Sequence, residues 1–297
     1  MTTSDPLARD GEPAVRVRGL RKSYGGTAAV DGVDLEVHRG EVFALLGPNG
    51  AGKTTTVEIL EGYRRRDSGD VDVLGHDPGR NEARFRARIG IVLQEASDLA
   101  DLSVRETLVH FAGYFPRPRD PDEVIVAVGL AEKSDARAST LSGGQRRRLD
   151  VGLGIIGRPE MLFLDEPTTG FDPEARRQFW DLVRALQAEG TTILLTTHYL
   201  DEAEALADRV GVISRGRLLE VGAPEALGGR SSAEAVVSWL EDGTTRTERT
   251  REPTAYVVAL AERLGEVPEL TVTRPSLEDV YLRLIGDDVA EIAEAHV

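Results

Sequence analysis

The chain has 297 residues and carries 36 Lys and Arg residues against 51 Asp and Glu residues, a formal net charge of −15. It has no cysteine, which excludes a disulfide scaffold, a thiolate zinc site and cysteine-based catalysis. The negative charge argues against a surface that binds nucleic acid, because the phosphates would be repelled.

Apolar runs are short throughout the chain, and Val42–Leu46 and Met161–Leu164 are among the longest. Both are far shorter than the roughly 20 residues of a membrane helix, so we expect any membrane role to come through a partner. Residues 1–13 are polar and contain Pro and Gly, and we predict a disordered tail that is not a secretory signal. The length indicates two domains, which we place at residues 14–227 and 228–297.

The first domain alternates short apolar runs with helical patterns, which predicts an α/β fold. Val33, Leu35 and Val37 alternate with charged residues, as in a half-exposed antiparallel strand. The continuous apolar run Val42–Leu46 is typical of a strand that is buried on both faces. Across residues 95–155 the apolar residues take helical spacing, which predicts a helical subdomain inserted in this core.

The second domain follows a linker rich in glycine and serine at residues 228–232. Ala235–Leu240 and Leu270–Thr273 are predicted strands, and Thr254–Leu264 is a predicted helix. An amphipathic pattern after Pro275-Ser276 predicts a second helix. These elements indicate a small α+β appendage.

A glycine-rich segment follows the predicted strand Val42–Leu46 and precedes a predicted helix. It fits the pattern G-x-x-x-x-G-K-[ST], in which glycines let successive backbone N–H groups face one anion. The ammonium of Lys53 would reach the β- and γ-phosphates, and the hydroxyl of Thr54 would bind Mg²⁺. The flanking strand and helix argue against a chance glycine turn. We therefore predict a phosphate loop whose nucleotide-binding residues are Gly47, Pro48, Asn49, Gly50, Ala51, Gly52, Lys53, Thr54 and Thr55.

Two adjacent carboxylates, Asp165 and Glu166, follow the apolar run Met161–Leu164. A strand that ends in a carboxylate places it at the carboxyl edge of a sheet, where α/β proteins bind their ligands. Asp165 would hold Mg²⁺ through water, and Glu166 would polarise an attacking water. The alternative, an acidic pair that merely ends a strand at the surface, is disfavoured by the phosphate loop upstream.

The segment LSGGQ at residues 141–145 distinguishes among the many classes of P-loop protein. It opens a predicted helix, so its hydroxyl and glycine N–H groups would face an anion. LSGGQ is the signature motif of the ATP-binding cassette (ABC) family, which the chain resembles over residues 14–227. The resemblance implies a P-loop NTPase (RecA-like) α/β core with an antiparallel β subdomain and an inserted helical subdomain. It assigns nucleotide contacts to Ser142, Gly143, Gly144 and Gln145.

Four single residues match further landmarks of the family, and each also has a purely structural interpretation. Tyr24 matches the aromatic residue that stacks on adenine, or is a packed strand aromatic. Gln94 matches the Q-loop glutamine, or is an amide that ends a strand. Asp172 matches the D-loop that crosses between subunits and also suits a helix N-cap. His198 matches the switch histidine that contacts the γ-phosphate, or is a structural histidine at the end of a strand.

The resemblance implies ATP and Mg²⁺ as ligands, with Glu166, His198 and Gln94 as catalytic residues. It assigns Mg²⁺ contacts to Thr54, Gln94 and Asp165. In this family the signature motif of one cassette completes the phosphate loop of another. Because the chain has one of each, the resemblance implies a head-to-tail dimer around two ATP molecules, most simply a homodimer although a heterodimer is open.

A transporter motor is one interpretation of such a cassette, and a non-transport ABC ATPase of DNA repair or the ribosome is the other. The latter tend to need two cassettes per chain, long coiled coils or zinc-binding cysteines. Residues 277–282 (LEDVYL) resemble the C-terminal signature of daunorubicin-resistance-type ABC exporter ATPases, with the two acids exchanged and Tyr in place of Phe. The structural alternative for them is an amphipathic helix that closes the small domain.

The exporter resemblance implies a separate membrane-spanning permease as partner and a drug, antibiotic or lipid-like compound as cargo. It also implies a cytoplasmic location, peripheral on the inner face of the membrane.

Overall fold

A computed structural model describes residues 11–80, 82–92 and 101–295 of the chain. Most of the predicted N-terminal tail and Gln94 therefore lie outside the described residues. The chain divides into two compact units, Met1–Leu219 and Glu220–Val297. The boundary that we predicted from the sequence lies slightly further along, between residues 227 and 228.

The first unit contains two sheets and seven α-helices within its described residues, and its last strand, β9, continues past Leu219 to Gly222. The strands are β1 Val15–Tyr24, β2 Thr27–Val37, β3 Val42–Leu46, β4 Ser68–Val73, β5 Ile89–Val92, β6 Met161–Asp165, β7 Thr192–Thr197, β8 Arg209–Ser214 and β9 Arg217–Gly222. The helices are α1 Lys53–Leu60, α2 Ala83–Arg86, α3 Val104–Ala112, α4 Pro121–Ala127, α5 Gly143–Ile155, α6 Pro173–Ala188 and α7 Leu200–Leu206.

The larger sheet has the strand order β5-β6-β7-β3-β8-β9. The pairs β5–β6, β6–β7, β7–β3 and β3–β8 are all parallel, so these strands end at the same edge. Every residue of β3, β6 and β7 is buried, as expected for central strands covered on both faces. The carboxyl ends of β3, β6 and β7 therefore lie side by side, which is where α/β sheets place their ligands.

The smaller sheet is antiparallel and has the order β2-β1-β4. Val33, Leu35 and Val37 of β2 are buried, whereas the residues between them are exposed or half-buried, as the alternating sequence predicts. The two sheets together give the α/β core with an antiparallel β subdomain that we expected for the P-loop fold.

Helices α3, α4 and α5 occupy the stretch in which we predicted a helical subdomain. Ser103 begins α3 with a capping box, in which its hydroxyl accepts from the N–H of Glu106 and the Glu106 carboxylate accepts from the N–H of Ser103. Asp120 caps α4, whose first residue is Pro121. Within the described residues, no helix combines the length and the apolar character needed to cross a membrane.

The second unit is a three-stranded antiparallel sheet with two helices. Its elements are β10 Ala235–Glu241, β11 Thr244–Thr250, α8 Pro253–Leu264, β12 Thr271–Thr273 and α9 Leu277–Ala295. The strand order is β11-β10-β12, and Val237, Trp239 and Leu260 form a small core between β10 and α8. This arrangement matches the predicted α+β appendage.

Helix α9 begins with the LEDVYL segment. Leu277 and Val280 are buried, and the guanidinium of Arg283 donates to the carbonyl of Gly228 at 2.7 Å. A Cβ added at Gly228, where φ is +59°, would lie 2.4 Å from a methyl carbon of Val280. The start of α9 thus holds the turn that precedes β10, which agrees with its structural interpretation.

Candidate active site

The loop between β3 and α1 takes a conformation that requires glycine at two positions. A Cβ added at Gly47 would lie 2.3 Å from the carbonyl oxygen of Ile213. At Gly52 φ is +103°, and a Cβ would lie 2.3 Å from the carbonyl oxygen of Ala29. Any side chain would push the loop away from its neighbours, so these two glycines fix the tight path that turns backbone N–H groups inward.

Lys53 is the first residue of α1, and its side chain folds back over the loop. The residue is buried, and its ammonium donates to the carbonyl oxygens of Gly47 at 2.7 Å and Pro48 at 3.2 Å. Burial lowers the pKa of Lys53, while the charges of Glu166 and Asp165 oppose that shift. The loop thus holds a cation, and a phosphate oxygen can replace the main-chain carbonyls that accept its hydrogen bonds.

A cavity of about 480 Å³ opens beside this loop. Nine of the residues that the sequence predicted for the site line it, and Ala29, which the sequence does not single out, completes the wall. The lining residues are Tyr24, Ala29, Asn49, Gly50, Ala51, Gly52, Lys53, Thr54, Thr55 and Glu166.

Tyr24, the last residue of β1, stands at the wall of this cavity with 42% of its surface exposed. The ammonium of Lys22 and the guanidinium of Arg64 lie 5.5 and 5.3 Å from the centroid of its ring. The Arg64 guanidinium is itself paired with the carboxylate of Glu58. An exposed ring fixed by two cations is suited to stacking on a planar base, and the alternative of a buried core aromatic is wrong.

The two acidic residues after β6 are held by the neighbouring strand β7. Asp165 is buried and pairs in register with Thr196. The Thr196 hydroxyl donates to the Asp165 carboxylate and accepts from the N–H of Glu166 at 3.1 Å. The same N–H also donates to the Thr196 carbonyl at 3.1 Å. One threonine therefore fixes both the carboxylate of Asp165 and the backbone of Glu166.

Glu166 has a left-handed backbone with φ of 45°, which is uncommon for a residue other than glycine. This conformation lies directly after the strand and accompanies a carboxylate that reaches the cavity wall. Residues held in such sparsely populated conformations cluster at active sites, ligand clamps and switch regions.

His198 follows β7 and lies next to Glu166. Its Nδ1 is 3.4 Å from a carboxylate oxygen of Glu166, and its ring centroid is 4.0 Å from that of Tyr199. The histidine side chain is 41% exposed. The sequence predicted both residues for one site, although they are 32 residues apart in the chain. The fold brings the glutamate and the histidine together.

The signature segment lies outside the cavity lining. Ser142 caps α5: its hydroxyl accepts from the N–H of Gln145 at 3.3 Å, and the Gln145 side chain accepts from the N–H of Ser142 at 3.1 Å. Ser142 and Gly143 are exposed. Asp172 likewise caps α6 by accepting from the N–H of Ala175 at 2.8 Å. Ser142 and Asp172 are thus the N-caps of α5 and α6, and both are exposed to solvent.

Arg147 of α5 is a buried residue that the sequence does not single out, since it sits in a run of three arginines. Its guanidinium donates to the main-chain carbonyls of Asp165 and, at 3.2 Å, Pro167. Burial lowers its pKa, and nearby carboxylates oppose this shift. Arg147 thus ties the signature helix to the backbone of the acidic turn.

Comparison with known proteins agrees with this geometry. The sequence profile of the ABC transporter family matches residues 30–169. The daunorubicin/doxorubicin resistance ATP-binding protein DrrA of Streptomyces peucetius is 41% identical over 305 residues, which cover 92% of this chain and 92% of that protein. The Nod factor export ATP-binding protein I of Rhizobium sp. (strain N33) is 39% identical over 302 residues, covering 93% and 98%.

Solved structures share the fold over about three quarters of the chain. CbiO1 from Clostridium perfringens, part of the ABC transporter complex cbiONQ, aligns with a TM-score of 0.67 and 29% identity over 74% of this chain and 92% of that one. A nucleotide-free ATP-binding cassette from an ABC transporter aligns with a TM-score of 0.62 and 24% identity, over 71% and 91%. From the geometry of its phosphate loop and from relatives that it matches over nearly its whole length, the chain belongs to the ABC transporter ATP-binding proteins, of the type that includes the daunorubicin resistance proteins.

Proposed function

We propose that the chain is the ATP-hydrolysing motor subunit of an ABC exporter. The observation that carries this proposal is the meeting of a buried lysine, a glycine-walled cavity and the Glu166–His198 pair at one edge of the parallel sheet. The export role is supported by relatives that are named for drug resistance and Nod factor export.

ATP fits the cavity by its chemistry. The ring of Tyr24 would stack on the adenine, and Lys53 would exchange its two carbonyl contacts for β- and γ-phosphate oxygens. Inward-facing N–H groups and the start of α1 supply further positive potential. This local arrangement explains how a chain of net charge −15 binds a polyanion.

Hydrolysis would be carried by groups at the ends of β6 and β7. Glu166 would accept a proton from the attacking water and orient it, while His198 would donate to the γ-phosphate. Asp165 and Thr54 have the oxygen chemistry to hold Mg²⁺, and Gln94 would contact the metal or a water, as the resemblance implies. When bound, Mg²⁺ neutralises charge that develops on the phosphates.

We further propose that two copies face each other head to tail, so that each signature segment closes the partner's site. Ser142, Gly143 and Gly144 would contact the γ-phosphate held by Lys53 of the second copy, with Gln145 maintaining the cap. Asp172 would cross between the subunits in addition to capping α6. ATP binding would then favour the closed dimer, and hydrolysis would release it.

The proposed transporter needs a separate membrane permease, on whose cytoplasmic face this chain would sit as a peripheral subunit. The cargo class that the relatives support is a drug, antibiotic or lipid-like compound. Co-expression with a candidate membrane protein whose gene lies beside that of this chain, followed by purification in detergent, tests this pairing. Failure of the two chains to co-purify would contradict the transport role and leave the ATPase assignment standing.

The ATPase assignment is tested by Glu166→Gln, with Glu123→Gln, at an exposed position of α4, as the matched control. We expect Glu166→Gln to abolish turnover, to bind ATP at wild-type affinity and to accumulate as a dimer in size-exclusion chromatography with ATP. The control should keep wild-type behaviour. Wild-type turnover in Glu166→Gln would overturn the assignment of the catalytic base.

A further inference from the structure

A polar cluster lies buried directly beneath the two catalytic turns. At its centre is Glu202 of α7, whose residue surface is completely buried. Its carboxylate faces the hydroxyls of Thr168 and Thr197 and the indole N–H of Trp180. Thr168 and Thr197 are also completely buried. A fully buried carboxylate destabilises the fold unless hydrogen bonds and positive charge compensate for its lost hydration, so it is retained for that reason or for a function. None of the roles assigned above involves Glu202.

The cluster joins the two segments that carry the reacting groups. Thr168 lies in the turn after Glu166, which is closed by a hydrogen bond of 3.3 Å from the N–H of Thr169 to the Glu166 carbonyl. Thr197 immediately precedes His198. Its hydroxyl accepts from the N–H of Tyr199 at 3.0 Å and so is oriented to donate its own proton toward the Glu202 carboxylate.

The chemistry of the cluster favours a carboxylate over its amide counterpart. Thr168, Thr197 and Trp180 all present donors, and an ionised carboxylate is an acceptor at both oxygens. A glutamine would turn an NH₂ group toward one or more of these donors. Burial raises the pKa of Glu202, whereas the three donors and the positive charge of Arg176 of α6 favour the ionised carboxylate. The Arg176 guanidinium also lies 4.7 Å from the ring centroid of Tyr199.

The cluster is incompletely bonded in this conformation. Within the described residues, both Glu202 oxygens, the Thr168 hydroxyl and the Trp180 indole N–H lack a partner at normal hydrogen-bonding distance and angle. The donors and the carboxylate nevertheless lie close enough to interact electrostatically, so a displacement of either turn can complete the bonds. Contacts that support catalysis are often loose before substrate binds and tighten in the reactive complex.

We propose that Glu202 is a positioning residue that locks the Glu166 turn to the His198 turn in the hydrolytic state. The inference rests on the proposed ATPase function. It assigns Glu202 no contact with nucleotide, so removing its acceptor role should slow turnover and leave ATP binding intact.

The test measures steady-state ATP hydrolysis, the Kd of a non-hydrolysable ATP analogue with Mg²⁺, and the thermal midpoint. Glu202→Gln should lower kcat by about tenfold or more, because even a small displacement of the reacting groups from their productive geometry slows the reaction strongly. Its analogue Kd should stay within about twofold of the wild type. Glu202→Asp keeps two acceptor oxygens and should restore part of kcat.

A second variant keeps the proposal testable if Glu202→Gln folds poorly. Thr168→Val removes one donor at nearly constant side-chain volume and should by itself lower kcat by about threefold. Combined with Glu202→Gln it should lower kcat little further, because both substitutions disrupt the same hydrogen-bond network. The matched control is Glu41→Gln, a buried carboxylate paired with Arg209 at 3.2 Å, which lies before β3 at the opposite edge of the sheet. Its kcat should equal that of the wild type.

The outcomes separate the two levels of inference. A wild-type protein without ATPase activity would overturn the proposed function and this inference with it. An active wild type with unchanged kcat in Glu202→Gln, additive losses in the double variant, or an equal loss in Glu41→Gln would overturn the positioning role alone.

Discussion

Glu61, which directly follows α1, makes the stability of the first unit fall as the pH rises from about 4.5 to about 8. Burial raises the pKa of its carboxyl group to about 8, and the negative charges of Asp165 and Glu58 add to the shift. The folded state therefore holds this proton more tightly than the unfolded chain does. Stability from this source is complete below the usual pKa of 4.5 and is lost as the pH rises toward 8.

The size of the effect follows from the two pKa values. At about 1.4 kcal/mol per pH unit, the interval from 4.5 to about 8 corresponds to an upper value of about 5 kcal/mol. Part of this loss falls below pH 5, and relaxation around the ionised group reduces the rest, so we expect a loss of between about 2 and 4 kcal/mol between pH 5 and pH 9. Glu61→Gln carries no charge and should not show this loss.

Urea unfolding at several pH values, without nucleotide or Mg²⁺, measures the effect. The chain has two tryptophans, and Trp239→Phe leaves Trp180 as a fluorescence probe of the first unit. The free energy of unfolding of the parent minus that of Glu61→Gln should fall as the pH rises. Glu132→Gln, at an exposed position, is the control and should parallel the parent. Parallel curves for Glu61→Gln would refute the reasoning.

Three further predictions concern single contacts. Lys53→Ala should weaken binding of a fluorescent ATP analogue by at least about tenfold, and unchanged affinity would contradict the phosphate role. In Gly90→Ala the new Cβ would lie 2.1 Å from the carbonyl oxygen of Gly154. The free energy of unfolding, measured with urea, should therefore fall by about 2 kcal/mol or more. A variant as stable as the wild type would show that β5 and α5 can move apart without cost. Arg147→Met leaves two buried carbonyls without their donor and should cost about 3 kcal/mol by the same assay, whereas a neutral result would mean that apolar packing replaces them.

The site motifs could be predicted from the sequence because their chemistry is local. A phosphate loop needs its glycines and lysine within eight consecutive residues, and the adjoining run Val42–Leu46 is β3 to the residue. The alternating pattern of β2 and the amphipathic start of α9 are local in the same sense. Each of these segments carries its own periodicity, so no knowledge of its neighbours is needed.

The supporting residues could not be predicted because they depend on neighbours that are distant in the chain. Thr196 matters because β7 pairs with β6 and brings it opposite Asp165. Arg147 is indistinguishable in the sequence from the two arginines beside it, and only packing shows which one turns inward. Glu202 looks like one of several acids in a surface helix. Tertiary contacts, rather than residue type, give these three their roles.

The left-handed backbone of Glu166 has a consequence for evolution and engineering. Asparagine adopts this conformation more readily than glutamate, so it would relax the turn by a few tenths to about 1 kcal/mol. The same exchange would remove the proposed base. A screen that selects variants for heat resistance alone would therefore enrich inactive proteins at this position, and thermostabilised libraries need a second selection for turnover.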